Sequence, residues 1–225
     1  MSKPKAIWQV LKNYAGANRL GRRRRVGDRA ALEHFLDSRS SHVAQMSLYG
    51  YLRTRAGTRY YELFDDAAFH ASMNIAKWQI WLACLSDLSV YAGGLVAQRA
   101  GTKGLAVAGA GSGAQDVKTL VQSLVDGILE RTGVPADAGE DFAPASQALR
   151  ERLAACDLQV VADDESAFCH SPEALVYWAP VVDDLKSLDE EIVKNSIRFR
   201  WQEVRRDLRR NLDADALMAS LHERT

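Results

Sequence analysis

Cysteine and proline are both scarce in this chain. Only Cys84, Cys156 and Cys169 occur among 225 residues, with no CxxC spacing, which argues against a disulfide framework and against a zinc ribbon. A reducing cytoplasm is the expected compartment. Five prolines leave room for long helices. The opening MSKPKAIWQVLKNY has charges at both ends and no long apolar run, so it does not read as a secretory leader. Strand-like alternation is nearly absent, and no internal repeat is visible.

Several chemistries lack their motifs. There is no HExxH and no ExxH pair of the di-iron bundle kind, so no metal or other cofactor is expected. Cys169-His170 beside Asp163, Asp164 and Glu165 is read as a charged turn before a helix in preference to a metal cluster. The residues Gly109, Gly111 and Ala114 fit GxGxxA, but the dinucleotide mechanism needs a strand in front and a βαβ unit around it. Leu105-Ala-Val107 is a poor strand, so a flexible loop is preferred. Ser112 fails the nucleophile-elbow pattern GxSxG because Ala110 and Ala114 flank it, and it is not expected to be a nucleophile.

What is present is helical periodicity. Asp28 is a plausible N-cap for a helix over about 28–54, with Ala31, Leu32, Phe35 and Leu36 on one face. Gly57 ends it in an arginine-rich break. Asp65 and Asp66 can cap a helix over about 66–98, which is apolar nearly all round after Trp78. Asp87 in the middle of the Trp78–Val96 stretch makes a buried central helix the preferred reading over a membrane span. Residues 99–114 have loop or hinge composition. A helix starts at about 115 and stops at Gly133, a linker-like segment covers 133–145, and a short amphipathic helix covers 146–156.

Residues 157–170 are ambiguous between a short strand and a helix tail. Ser171-Pro172-Glu173 reads as N-cap, N1 and first-turn acid of the next helix. Pro180 kinks or restarts it. A long helix is then expected over about 181–210, with Leu185, Leu188 and Ile192 handing the apolar face to Val193, Ile197, Trp201, Val204 and Leu208, and a final short helix over about 213–223. The predicted fold is all-α: an irregular multi-helix bundle with a long central apolar helix and a long C-terminal helix. The expected division is a basic arm over 1–27, with a short helix at 6–16, and a helical domain over 28–225, with a subdivision considered near 133–145.

Charge is zero overall but polarised. Residues 1–29 hold nine basic side chains against Asp28 alone, a net of +8, which leaves the remainder at −8. Trp8, Lys12, Tyr14 and Arg22, Arg23, Arg24 and Arg25 are the candidate contacts for an anionic partner: a membrane surface or an acidic protein, ahead of nucleic acid. No helix-turn-helix, RRM or zinc-finger signature supports the nucleic-acid option. Docking of the arm on its own acidic body, or on that of a partner subunit, is the bland alternative, and oligomerisation is allowed. Asp87 and Asn74, in the apolar helix, with Arg53, Arg55 and Arg59, form a second candidate site. Its bland reading is that one of those arginines pairs with Asp87; its sharper one is a pocket acid of raised pKa. His34 and His42, two helical turns apart, are read as structural.

Residues 11–28 (LKNYAGANRLGRRRRVGD), 47–57 (SLYGYLRTRAG) and 75–78 (IAKW) resemble a group of poorly characterised alphaproteobacterial helical proteins, some labelled esterase. The resemblance covers roughly the first hundred residues and brings no catalytic residues with it. The expected function is therefore a non-enzymatic helical interaction or scaffold protein, cytoplasmic or attached at a membrane. A small-molecule hydrolase lacking GxSxG is second, and a nucleic-acid binder third.

Overall fold

Asp28 caps the first helix as its position suggests: its carboxylate accepts from the Ala31 N–H at 2.8 Å, and α1 runs Arg29–Ala56. Gly57, at φ 55°, closes it by donating to the Arg53 carbonyl. The computed structural model describes residues 25–104, 112–158 and 165–222. Among these, the chain continues as a 3-10 segment, Gly57–Asp65, then α2 (Ala67–Gly104), α3 (Ser112–Thr132), α4 (Phe142–Ala155), a 3-10 turn at Glu165–Ala167, α5 (His170–Trp178), α6 (Asp183–Asn211) and α7 (Ala214–His222). This is an all-α bundle with a long buried apolar helix and a long C-terminal helix.

Asp66 caps α2 by accepting from the N–H groups of Ala68 and Phe69. By composition and length α2 could cross a membrane, yet 89% of its most apolar window is buried inside the protein. It packs against α1, α3, α4, α5 and α7, so its residues face protein on nearly every side. Gly93 makes one of these approaches possible: a Cβ there would lie 2.9 Å from Leu158 and 3.2 Å from Val121 of α3. One apolar cluster joins Val26, the faces of α1 to α6, and Leu217 of α7.

Several boundaries differ from expectation. The expected 99–114 loop is shorter, because α2 continues through Gly104 and α3 begins at Ser112. Gly109 and Gly111 lie outside the described residues. The helix expected at 146 starts at Phe142, which is buried and anchors the first turn, where Pro144 is tolerated. The arginine-rich break is itself a 3-10 segment. In α6 the core face is Asp189, Val193, Ile197, Trp201, Val204 and Leu208, whereas Leu188 and Ile192 are 75% and 72% exposed. The two leading apolar residues therefore do not pass the core face onward. They sit on the opposite side, because Asp189, ion-paired with Arg55 of α1, takes the inward position.

The two ends of the described chain meet. Val26 donates to the Asn211 carbonyl and accepts from the Asp213 N–H, both at 2.9 Å, forming an isolated parallel bridge with Leu212. Arg25 forms an ion pair with Asp213. The helix expected at 6–16, with Trp8 and Lys12, and Arg22 to Arg24 lie outside the described residues.

Candidate functional site

Asp87 is fully buried on α2, and what surrounds it sets its chemistry. Arg152 of α4 donates to its Oδ1 at 2.6 Å. The same guanidinium donates to the Ser86 hydroxyl at 2.8 Å and to the Ala167 carbonyl at 2.9 Å. From the start of α5, the backbone N–H of His170 reaches Oδ1 at 3.2 Å and that of Ser171 reaches Oδ2 at 2.7 Å. Helix α5 begins at His170 rather than after a Ser171 cap, and Cys169 at its N-cap position makes no side-chain capping bond. The cap comes instead from Asp87 on a neighbouring helix, which satisfies first-turn donors and sits at the positive end of the helix dipole. The Ser171 hydroxyl is thereby available to accept from the Trp201 indole N–H of α6 at 2.9 Å.

Three helices thus meet at one carboxylate, and α6 joins them through Ser171. Burial pushes the Asp87 carboxyl up from its ordinary value, while Arg152 and the Ser171 hydrogen bonds oppose that shift. Each of these contacts to its oxygens comes from a donor, which is the arrangement an ionised carboxylate requires. The partner is Arg152. Arg55 is ion-paired with Asp189, Arg59 with Glu62, and Arg53 is exposed. Asn74 hydrogen-bonds His70 one turn away and lies thirteen residues from Asp87 along α2, about 20 Å. The structure therefore does not gather Asn74, Asp87, Arg53, Arg55 and Arg59 into one site. A signal for Arg152 was present in the sequence: it shares a helical face with the core residues Leu149 and Leu153, where an arginine needs a buried acid.

Next to this centre an open groove of about 550 Å³ lies between α2, α4 and α5, with Gln79, Ser86, Ala148, Cys169, His170 and Glu173 among its walls. The buried Gln79 Nε2 has no hydrogen-bond partner. Burial raises the Cys169 thiol, with Arg152 opposing, and burial together with Arg152 lowers His170. The pair therefore meets neutral pH as thiol and neutral imidazole, the opposite of an activated thiolate–imidazolium. Glu173 is held by Lys194 of α6 at 2.7 Å. The groove thus lacks an activated thiolate–imidazolium pair.

The remaining candidates are dispersed. His34 is exposed, while His42 is half-buried and lowered by burial and then by Arg39 and Arg200. Ser112 opens α3. Asp163 and Asp164 lie outside the described residues, and among those described no three His, Cys, Asp or Glu side chains form a group that could hold a metal ion. The chain matches no protein-family model, no curated protein and no solved structure.

Proposed function

We propose that the chain is a non-catalytic helical interaction protein whose basic arm attaches an acidic body to an anionic surface. The observation that carries this reading is the division of charge: +8 over residues 1–29 against −8 over the rest. Arg25, the one residue of the arginine run that the structure describes, keeps 78% of its side chain exposed while paired with Asp213. Two features of the body fit the same reading. Its central carboxylate is spent on Arg152 and on capping α5, and its groove holds Cys169 and His170 in neutral forms.

An anionic membrane is the first partner. A Trp-bearing segment beside a polybasic run is a common peripheral anchor, and each basic residue near such a surface contributes about 1 kcal/mol. The test is co-sedimentation of the full chain with phosphatidylserine-containing and purely zwitterionic vesicles across a salt series, with duplex DNA as competitor. Binding only to the anionic vesicles, weakening steeply above about 0.1 M salt, is expected. No binding to either vesicle would overturn the membrane reading, and preference for DNA would replace it with nucleic-acid binding. The hydrolase reading draws on the groove, where Ser86, Cys169, His170 and Glu173 line one wall system. Fluorophosphonate labelling that maps to Ser86 would favour it.

A further inference from the structure

Helix α6 carries an apolar stripe on the side facing away from the core. At 100° per residue, Leu188, Ile192, Asn195 and Phe199 lie within about 60° of one another, opposite Ile197 and Val204. Leu188, Ile192 and Phe199 are 75%, 72% and 72% exposed, which is unusual for three large apolar side chains in register on one helix. The same face is charged at its ends and of opposite sign at each. Asp184 and Glu191 flank the N-terminal part, and Arg206 and Arg210 the C-terminal part, all exposed.

The geometry points to a second copy of this chain as the occupant, paired antiparallel along α6. A two-fold axis near Asn195 places Asp184 opposite Arg206 of the partner copy and brings Ile192 next to Phe199 of that copy. It also sets the two Asn195 side chains against each other. The acidic end of each face then meets the basic end of the other, while Leu188 falls opposite the uncharged Gln202; self-complementary charge of this kind is what an isologous contact requires. A foreign helix of one charge would satisfy one end and be repelled by the other. The basic arm of this chain has that defect: it suits the Asp184 end and is repelled at the Arg206 and Arg210 end. A polar residue in the middle of an apolar stripe also selects one register and orientation over its neighbours.

From Asp184 to Arg206 the face is about 33 Å long. Stable interfaces start at about 1,200 Å² in total, so a single pair of helices is expected to give a weak dimer that dissociates in the micromolar range.

Sedimentation equilibrium of the full-length protein from about 1 to 100 µM tests it. A monomer–dimer equilibrium is expected. Phe199→Asp is expected to weaken it at least tenfold with the unfolding midpoint unchanged, since the residue is exposed. Asp184→Arg and Arg206→Asp are each expected to weaken it several-fold, and the two together to restore it, because the swap preserves the self-match. A monomer throughout the range overturns the proposal, as does a dimer indifferent to Phe199→Asp. A dimer lost on removing residues 1–24 but not with Phe199→Asp overturns it in favour of the arm. Failure of the charge swap to restore pairing overturns the antiparallel arrangement.

Discussion

Helices α2 and α6 are the two long helices of the described chain after α1, and they solve opposite problems. Helix α2 is covered on nearly all sides and tolerates one buried carboxylate only because four donors from α4 and α5 surround it. Helix α6 buries a single stripe ending in Trp201, Val204 and Leu208 and leaves charges and three large apolar side chains outside. In α2 the carboxylate of Asp87 is drawn inward and spent on holding the fold. In α6 apolar groups are left outward, where they remain available to a partner. The difference separates residues spent on the interior from the exposed apolar side chains on which the proposed pairing rests.

The largest expected effect comes from breaking the centre of α2. Arg152→Ala leaves Asp87 buried and unpaired, and should cost about 3–5 kcal/mol in urea unfolding, because the uncompensated charge dominates. Adding Asp87→Asn to it should recover part of that loss. No recovery would mean that Arg152 acts through packing alone. Next, two leucines sharpen the comparison directly. Leu88→Ala, fully buried on α2, should cost about 2–5 kcal/mol. Leu188→Ala, 75% exposed on α6, should stay within about 0.5 kcal/mol under conditions where the chain is monomeric. Equal effects would remove the distinction. Ser171→Ala should cost about 1–3 kcal/mol, since it leaves the buried Trp201 N–H without its acceptor.

How much of this the sequence disclosed follows from what each pattern encodes. The position of α2 is legible because near-continuous apolarity has one packing solution in a bundle, and its cap, Asp66, is a side chain local to the helix end, just as the Gly57 backbone that closes α1 is. The start of α5 is not. Ser-Pro-Glu carries a local capping signal, but the cap arrives from Asp87, some eighty residues earlier, and helix periodicity holds no information about a contact that distant. The face of the first turns of α6 is hidden from the sequence for a related reason. Leu185, Leu188 and Ile192 form a valid stripe by spacing, but only the half-buried Leu185 stays on the side of Asp189, and the Asp189–Arg55 pair with α1 leaves Leu188 and Ile192 outward. Of the candidate residues, Asp87 was legible as a costly buried charge, while its partner Arg152 sat in a short helix read as merely amphipathic.

The smallest expected effect is on pH dependence. Burial, with neighbouring arginines, lowers both His42 and His170, so the folded state holds them neutral while the unfolded chain protonates near the ordinary value of about 6.5. The unfolded state then binds more protons. Stability from these groups is complete above that value and declines as pH falls through it. Between about pH 7 and 5.5, thermal unfolding of His170→Gln should show a shallower slope than that of the unsubstituted chain. A steeper one would reverse the sign assigned to this histidine.

The division between a structural interior and an attaching exterior is tested most directly by replacing Arg22, Arg23, Arg24 and Arg25 with alanine. Vesicle attachment and the unfolding midpoint should then be measured on the same preparation. Attachment to anionic vesicles at about 0.1 M salt is expected to fall at least tenfold. The midpoint should be nearly unchanged, since the one ion pair removed from the described body, Arg25 with Asp213, is largely exposed on the arginine side. Attachment that survives the four substitutions, or a loss of attachment that accompanies unfolding of the body, would contradict it.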